Sequence, residues 1–330
     1  MGMKEILNHL LSYKTLSKSE AKEVLIDIGK EKYSPVQTAS FLTIYMMRNI
    51  TVEELEGFRD AMLELCINLD VADYDAMDVC GTGGDGKDTF NISTLSAFVI
   101  AGAGQNVVKH GNYGVSSLCG SSTVMEYFGY KFTNEKNLLK QNLDEANICF
   151  LHAPLFHPAM KNVAPVRKEL GVKTFFNMLG PMVNPAFPKK QMVGVFSLEL
   201  GRLYTYLYQQ TDKLFSIVHS LDGYDEISLT GDFKLSGNKG EQILSPGYLG
   251  FNKLNQNDIE GGNTVKESAD IFMNVLSNKS TEAQKNAVVA NSAIALVTAN
   301  PQLTIEKAIE KVNESLLTGK ALEAFKKLLK

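Results

Sequence analysis

The spacing of hydrophobic residues changes near residue 70 of this chain. Up to about residue 67 they recur every three or four positions, which is the period of helices that pack on one face. Three Ser or Thr residues are each followed three positions later by Glu or Gln, a pattern that begins helices. These capping boxes are Ser17 to Glu20, Ser34 to Gln37 and Thr51 to Glu54. We therefore predict a small all-helical domain over residues 1–70.

From residue 77 onward, short apolar runs alternate with stretches of helical period. The runs are residues 77–80, 106–109, 147–151, 191–196 and 214–219. Such alternation is typical of a mainly parallel sheet flanked by helices. We therefore predict a large α/β domain over residues 71–330, with helices on both faces of its central sheet. Residues 162–187 interrupt this order with helix-like pieces and a turn, and we predict that they rejoin the helical domain as a hinge.

Ligands of parallel sheets bind beyond the carboxyl ends of the strands. Four loops of this chain follow predicted strands, namely residues 81–86, 110–117, 152–157 and 220–226. Because these ends meet at one edge of the sheet, we expect the four loops to converge on one crevice. A helix is also predicted there, with Ser93 as its cap before an apolar run.

The loop over residues 81–88 reads Gly-Thr-Gly-Gly-Asp-Gly-Lys-Asp and nearly matches two phosphate-binding motifs. Its glycines fit the dinucleotide pattern G-x-G-x-x-G, and with Lys87 they fit the start of a triphosphate loop. Asp88 replaces the Mg²⁺-binding hydroxyl of the triphosphate loop, and the next strand ends in Lys109 rather than in the acid of a dinucleotide site. Both motifs share backbone N–H groups that approach an anion. The loop therefore indicates a phosphate site or, alternatively, a turn without ligand.

Two further loops carry polar groups. Residues 109–117, with Gly120 to Ser122 behind them, combine a cation, an amide, hydroxyls and glycines, which predicts a second phosphate cradle or a polar surface turn. Asp225 and Glu226 follow the last parallel strand, and neighbouring carboxylates repel unless a cation lies between them. With the Ser93 hydroxyl they predict one or two Mg²⁺ ions against a pyrophosphate, because Mg²⁺ prefers oxygen ligands. A solvated acidic turn is the alternative.

Arg167 is unusual in a chain that relies on lysine. Only four of its 33 basic residues are arginines. The planar guanidinium suits a carboxylate of a substrate, although a structural salt bridge would explain it equally. His152 and His157 are irregularly spaced, which argues against a paired metal site.

The composition narrows the choice of partners. With 44% hydrophobic residues and a net charge of −4, the 330-residue chain resembles an ordinary soluble protein without general attraction to nucleic acid or membranes. Its four cysteines are widely spaced, which favours free thiols in a reducing cytoplasm. We find no signal-peptide pattern and no apolar run near the roughly 20 residues that cross a bilayer. We expect a cytoplasmic protein whose partners are small molecules and a second copy, as a homodimer through the helical domain.

Several segments, taken in order, match one family. They are Gly-Thr-Gly-Gly-Asp-Gly from Gly81, Asn-Ile-Ser-Thr from Asn91, Lys-His-Gly-Asn from Lys109, His-Pro-Ala-Met-Lys from His157, Pro-Val-Arg-Lys-Glu-Leu-Gly from Pro165, Asn-Met-Leu-Gly-Pro from Asn177 and Asp-Gly-Tyr-Asp-Glu from Asp222. In order and completeness they resemble the anthranilate phosphoribosyltransferases over nearly the whole chain. The resemblance implies a Mg²⁺-dependent pentosyltransferase of L-tryptophan biosynthesis, which moves the 5-phosphoribosyl group of phosphoribosyl diphosphate to the anthranilate amine.

The resemblance also implies a role for individual residues. Gly81, Asn112 and Arg167 would bind anthranilate, with His110, His157 and Pro181 along its route, and Ser93, Asp225 and Glu226 would organise Mg²⁺. The residues implied for phosphoribosyl diphosphate are Gly81, Gly84, Asp85, Thr89, Asn91, Ile92, Ser93, Thr94, Lys109, His110, Gly111, Asn112, Tyr113, Gly114, Val115, Ser116, Ser117 and Ser121. No residue is assigned as general acid or base, because the reaction relies on positioning the amine and stabilising the departing pyrophosphate.

Two positions depart from the family pattern. Tyr113 stands where a basic residue is usual, and Leu118-Cys119 replace a run that often contains Ser or Lys, so we expect a less cationic phosphate loop. Two alternatives remain. A pyrimidine-nucleoside phosphorylase shares the Lys-His-Gly-Asn-like loop, but its first phosphate loop differs from the one that begins at Gly81. A non-enzymatic relative that binds nucleic acid is opposed by the negative charge and by the retained Arg167 and Asn112.

Overall fold

The computed structural model describes residues 2–114 and 118–330, and these divide into two compact units. The helical unit comprises Met1–Leu69 and Ala153–Pro185. The α/β unit comprises Asp70–His152 and Ala186–Lys330. The segment predicted over 162–187 to leave the sheet therefore corresponds to Ala153–Pro185. The predicted fold class, a small helical domain with a larger α/β domain, is confirmed.

The helices and strands follow the alternation predicted from residue 77 onward. The α-helices are α1 (Met3–Leu11), α2 (Lys18–Gly29), α3 (Pro35–Met47), α4 (Val52–Leu65), α5 (Ile92–Gly102), α6 (Ser121–Tyr127), α7 (Lys136–Ala146), α8 (Ala153–Phe156), α9 (Met160–Leu170), α10 (Phe176–Leu179), α11 (Leu198–Gln209), α12 (Val265–Leu276), α13 (Glu282–Ala299), α14 (Ile305–Leu317) and α15 (Lys320–Leu328). The strands are β1 (Met77–Gly81), β2 (Val107–Gly111), β3 (Ile148–His152), β4 (Lys190–Gly194), β5 (Leu214–Ser220), β6 (Phe233–Gly237) and β7 (Gly240–Leu244). Short 3₁₀ turns lie at Ala72–Tyr74, Gly180–Val183, Pro246–Leu249 and Gln256–Ile259.

The three predicted capping boxes begin three helices of the helical unit. The side chains of Ser17, Ser34 and Thr51 accept the backbone N–H three residues on, at the starts of α2, α3 and α4. Each bond satisfies an N–H group that has no partner within its helix. The predicted helix starts are therefore confirmed.

An aromatic cluster explains why Ala153–Pro185 belongs to the helical unit. Phe175 from this segment stacks on Phe58 of α4, with ring centroids 4.4 Å apart. It also meets Phe41 and Tyr45 of α3 edge to face. Rings of this kind bury a large apolar area and add specific pairwise attraction. The returning segment thus completes the core of the first helices.

The sheet of the α/β unit is parallel except at one side. Among the described residues its seven strands have the order β3-β2-β1-β4-β5-β6-β7, and only β6 and β7 are antiparallel to their neighbours. The chain first proceeds outward from β1 to β3 and then returns to β4 on the other side of β1. The strand order thus reverses between β1 and β4, and such a switch point opens a crevice at the carboxyl ends.

Helix α5 is the central helix of this unit's core. Leu95, Phe98 and Ile100 are fully buried, and the ring of Phe98 meets Phe272 of α12 and Phe325 of α15. A helix that is apolar on all sides is stable only when neighbours surround it. Its packing fixes the direction in which its first turn points.

All four cysteines are free thiols, as predicted, and Cys80, Cys119 and Cys149 are buried. Cys66 is only partly buried because it lies at the end of α4. In the part of the chain that the structure describes, no helix is long and apolar enough to span a membrane.

A buried carboxylate joins α3, α4 and the loop before α2 in the helical unit. Glu54 of α4 accepts hydrogen bonds from the N–H of Leu16 (3.0 Å), the hydroxyl of Tyr45 (2.9 Å) and the N–H of Thr51 (3.0 Å). The guanidinium of Arg48 pairs with the same carboxylate. Burial alone would raise the pKa of Glu54, but these bonds lower it below its ordinary value of 4.5.

We predict that Glu54→Ala lowers the free energy of unfolding by about 3–5 kcal/mol, because it leaves the partly buried Arg48 and the hydroxyl of the buried Tyr45 without their carboxylate partner. Glu53→Ala, an exposed neighbour on the same helix, should change it by less than about 0.5 kcal/mol. Since folding lowers the pKa of Glu54, its stabilisation should be complete above pH 4.5 and lost as the pH falls below that value. Urea titrations of both variants measure this difference, and equal midpoints at pH 7 would refute it.

Candidate active site

The acidic turn after β5 lies directly against the switch point of the sheet. Gly81 and Gly194 are paired across the ends of β1 and β4. A Cβ atom on Gly194 would lie 1.4 Å from the carbonyl oxygen of Asp225, and one on Gly81 would lie 2.5 Å from its carboxylate Oδ2. Only glycine leaves room for Asp225 at these two positions.

The glycine-rich loop is tied to this turn. Gly83, Gly84 and Gly86 have positive φ angles, which glycine adopts without strain. The N–H of Gly83 donates to Oδ2 of Asp225 (2.7 Å). The carboxylate of Asp85 accepts the N–H of Lys87 at one oxygen (3.0 Å) and the N–H of Asp225 at the other (3.4 Å). The structure therefore brings together the two loops that the sequence marks for phosphate and for Mg²⁺.

Glu226 lies at the first turn of α5. Its Oε1 accepts the N–H of Ser93 (3.0 Å), and its Oε2 is buried without a hydrogen-bond partner among the described residues. The predicted cap at Ser93 is wrong: α5 begins at Ile92 with Asn91 as the N-cap, and no side-chain cap bond is made there. A carboxylate from a distant loop takes that role instead, since the positive end of a helix attracts negative charge.

The two carboxylates are unfavourable as neighbouring buried anions. Burial and the charge of Asp85 raise the pKa of Asp225 to about 7. Burial and the charge of Asp225 raise the pKa of Glu226 as well. A divalent cation would relieve both effects, and oxygen donors with one vacant carboxylate oxygen suit Mg²⁺. Among residues 2–114 and 118–330, no group of three His, Cys, Asp or Glu side chains is arranged to hold a metal ion.

The second phosphate loop begins with a buried lysine. Lys109 donates from Nζ to the carbonyl of Val79 in β1 (2.8 Å), and burial lowers the pKa of its ammonium group. His110 is also buried, whereas Asn112 and Gly114 are exposed at the start of the loop. Gly111 ends β2 close to the hydroxyl of Ser121, and that hydroxyl donates to the carbonyl of Asn112 (3.1 Å). The predicted residues Val115, Ser116 and Ser117 lie outside the described residues.

Tyr113, which replaces the usual basic residue, anchors this loop. Its hydroxyl donates to Glu126 of α6 (2.7 Å), and its ring meets the ring of His152 edge to face at 5.1 Å. His152 itself stacks on Phe132 and bonds to the hydroxyl of Ser122. In this chain the position therefore supplies a packing contact rather than a charge.

Asn91 links the two phosphate loops. Its amide Nδ2 donates to the carbonyl of Cys119 (2.8 Å), while its Oδ1 is buried without a partner in the described part of the chain. Ile92 and Thr94, also predicted to contact the donor, lie buried in the first turn of α5. Thr89 pairs with Glu260 in an antiparallel bridge. A cavity of about 360 Å³ opens between residues 86–89, at the end of the glycine-rich loop, and residues 256–263.

Three predicted anthranilate residues belong to the helical unit. The guanidinium of Arg167 lies 5.2 Å from the ring centre of Phe176 and bonds to the side-chain oxygen of Asn177 (3.4 Å). Its Nε is buried and has no hydrogen-bond partner among the described residues. Burial lowers the pKa of His157 to about 4, so this imidazole is neutral at pH 7. Pro181 is buried in the turn Gly180–Val183.

Sequence reasoning missed two residues that shape the acidic turn. Gly194 lies within the predicted strand 191–196 and was not singled out, although an isolated glycine in a strand signals that another part of the backbone approaches closely. Asn291 lies within the apolar helix α13, where it bonds to the backbone of Ile227 beside Glu226. An amide among alanine, valine and leucine residues was the available signal, since buried polar groups need partners.

Comparisons with known proteins agree with this arrangement. Residues 4–66 match the helical bundle domain of the glycosyl transferase family, and residues 73–322 match its a/b domain. An anthranilate phosphoribosyltransferase of Flavobacterium psychrophilum is 62% identical, over 99% of this chain and 98% of that relative. One of Bacteroides thetaiotaomicron is 51% identical, over 99% and 98%.

Solved structures of similar proteins have the same fold. The anthranilate phosphoribosyltransferase of Thermus thermophilus has a TM-score of 0.91 and 31% identity, covering 98% of each chain. That of Saccharomyces cerevisiae, in complex with PRPP and Mg, has a TM-score of 0.92 and 26% identity, covering 99% of this chain and 96% of that one. Fold and loops thus define a two-domain glycosyl transferase. The chain belongs to the anthranilate phosphoribosyltransferase family, and the prediction from its motifs is confirmed.

We predict that Gly194→Ala lowers the free energy of unfolding by about 1–3 kcal/mol or more, because the added methyl group would displace Asp225. Gly201→Ala in α11 is the matched control. Its methyl group would lie 3.5 Å from Val195, and alanine favours a helix by up to about 1 kcal/mol over glycine. The midpoint temperature of thermal unfolding should therefore be lowered by Gly194→Ala and not by Gly201→Ala. Similar midpoints for the two variants would show that the turn does not depend on this contact.

Proposed function

We propose that this chain transfers the 5-phosphoribosyl group of phosphoribosyl diphosphate to the amine of anthranilate, in L-tryptophan biosynthesis. The products are N-(5-phosphoribosyl)anthranilate and pyrophosphate. The observation that carries the proposal is the pair Asp225 and Glu226 at the switch point, held between the glycine-rich loop and the first turn of α5. Asp225 is buried, and so is the Oε2 atom of Glu226. The buried free thiols Cys80 and Cys149 suit a reducing compartment, so we infer a cytoplasmic enzyme.

The carboxylates and Ser93 would hold Mg²⁺ in this proposal. Glu226 keeps one oxygen on the N–H of Ser93 and leaves the other without a partner among the described residues. When bound, Mg²⁺ supplies positive charge that stabilises the departing pyrophosphate. The glycine-rich loop beyond Gly83 and the first turn of α5 beyond Ser93 would hold the diphosphate oxygens, because backbone N–H groups of such loops and helix starts approach an anion.

Arg167 would bind the carboxylate of anthranilate and orient the amine. Its partly buried guanidinium has an Nε without a hydrogen-bond partner in the described residues, so a bidentate carboxylate would satisfy a group that burial otherwise penalises. We assign no general base. The site would act by holding the amine near the ribose carbon as the carbon–oxygen bond to pyrophosphate breaks.

The direct test incubates the protein with anthranilate, phosphoribosyl diphosphate and Mg²⁺ and follows the loss of anthranilate fluorescence. We expect turnover that stops when Mg²⁺ is chelated. Absence of turnover together with phosphorolysis of thymidine or uridine would replace the proposal by a pyrimidine-nucleoside phosphorylase.

We predict that Arg167→Ala raises the KM for anthranilate at least about tenfold, because losing one partner of a hydrogen-bonded charge pair that is shielded from water costs roughly 2–5 kcal/mol. The KM for phosphoribosyl diphosphate should change much less. Lys168→Ala removes an exposed cation from the next position of α9 and should leave both constants unchanged. Steady-state kinetics with each substrate varied in turn measure the difference. Equal increases in the two constants would contradict the carboxylate role.

We also propose that the protein is a homodimer through the helical unit. This unit exposes several large apolar side chains: Tyr13 is 91% exposed, Val36 76% and Met47 86%, with Leu11 and Met46 also exposed. Exposed apolar side chains of this size are available to pack against a partner, which would remove them from water. A second copy is the favoured occupant because most soluble oligomers are symmetric homo-oligomers.

We predict that Met47→Glu raises the dimer dissociation constant at least about tenfold, because a charge would be buried in the interface. Tyr248→Glu places the same charge on an exposed side chain of the α/β unit and should have no effect. Sedimentation velocity at micromolar protein checks both variants. A native protein that sediments with the mass of one chain would exclude the dimer.

A further inference from the structure

Asn291 makes an unusual set of bonds from the middle of the apolar helix α13. Its side chain is 3% exposed. The Oδ1 atom accepts the N–H of Ile227 (3.0 Å), and Nδ2 donates to the carbonyl of the same residue (2.9 Å). Nδ2 also donates to the carbonyl of Ala287 on its own helix (2.8 Å). One amide thus binds both backbone groups of a single residue and is itself fixed by its helix.

The residue that Asn291 holds follows Glu226 directly. Ile227 is fully buried, so its peptide groups have no access to water if the amide is removed. On the other side of this peptide, the hydroxyl of Ser220 donates to the carbonyl of Glu226 (2.7 Å). The backbone that carries the Glu226 carboxylate is therefore fixed by one bond from β5 and by two from α13.

The position of the Glu226 backbone matters because the two oxygens of its carboxylate have different surroundings. Its Oε1 must reach the N–H of Ser93 while its Oε2 stays buried beside Asp225. Outer-shell hydrogen bonds that orient a metal ligand typically cost about 10–100-fold in metal affinity or activity when they are removed, and bonds to the backbone of Glu226 would orient its carboxylate in the same way.

We propose that Asn291 is a positioning residue that holds the backbone of Glu226 and thereby sets the affinity of the site for a divalent cation with diphosphate. The proposal rests on the proposed function, in which Asp225 and Glu226 bind Mg²⁺. Asn291 touches neither substrate nor ion and acts through the peptide of Ile227.

The test uses the full chain with Mn²⁺ and inorganic pyrophosphate, and it measures the bound ion by electron paramagnetic resonance. Asn291→Ala should raise the dissociation constant for Mn²⁺ at least about tenfold. Ser292→Ala is the matched control, because its hydroxyl is equally buried on α13 but has no hydrogen-bond partner among the described residues. It should bind Mn²⁺ as the native protein does.

Kinetics separate positioning from a general loss of structure. Asn291→Ala should require a higher Mg²⁺ concentration for half-maximal rate, recover its rate at saturating Mg²⁺ and keep the native KM for anthranilate. Asn291→Asp keeps the volume and the acceptor for the N–H of Ile227 but loses the donor, so it should weaken Mn²⁺ binding too. If circular dichroism shows that Asn291→Ala is unfolded, Asn291→Asp takes its place in the test. A lower unfolding temperature with native Mn²⁺ affinity in a folded variant would overturn the proposal.

Glu226→Gln distinguishes failure of this proposal from failure of the proposed function. If Glu226→Gln loses Mn²⁺ and Asn291→Ala does not, Asn291 has no positioning role and the metal site stands. If Glu226→Gln binds Mn²⁺ as the native protein does, the assignment of the metal site itself fails, and the positioning role fails with it.

Discussion

The α/β unit depends on the turn that carries Asp225 and Glu226, in which Asp225 packs against the ends of β1 and β4 and Glu226 binds the first turn of α5. The carbonyl and carboxylate of Asp225 occupy the space that side chains would need at Gly194 and Gly81. The carboxylate of Glu226 binds the N–H of Ser93 in the first turn of α5. A shift of this turn would therefore disturb two strand ends and the start of the central helix together.

The burial of these two carboxylate groups also explains why the site favours a cation. Two carboxylates removed from water repel each other, and their pKa values rise because the protonated form avoids that cost. A divalent cation removes the cost while both groups stay ionised. In our proposal the fold thus holds the carboxylates where a cation with diphosphate would stabilise them, next to a loop and a helix that present N–H groups. The energy for this arrangement comes from the apolar packing of α5 and from the bonds that fix the acidic turn.

Local patterns in the sequence predicted much of this structure. Capping boxes gave the starts of α2, α3 and α4, and the alternation of apolar runs gave the parallel strands, because both depend on residues close together in the chain. The glycine-rich loop and the acidic turn were predicted as a phosphate site and a metal site from residue type. Their meeting follows from parallel strands, whose carboxyl ends share one edge of the sheet.

The details that depend on contacts between distant residues could not be predicted in this way. Ser93 was predicted as a helix cap, but α5 begins at Ile92, and the N–H of Ser93 is bound by Glu226, far along the chain. Gly194 and Asn291 have roles only because Asp225 and Ile227 approach them. Tyr113 was interpreted only as the loss of a positive charge, whereas in the structure its hydroxyl donates a hydrogen bond to Glu126. In each case the decisive partner comes from another loop or helix, so no local pattern contains it.

The central claim is that the buried carboxylates hold a divalent cation together with the sugar diphosphate. Crystals grown with Mn²⁺ and phosphoribosyl diphosphate, measured at the manganese absorption edge, test it most directly. We expect an anomalous peak within bonding distance of the Glu226 or Asp225 carboxylate and of a diphosphate oxygen. Ordered phosphoribosyl diphosphate with no anomalous peak at either carboxylate would contradict it.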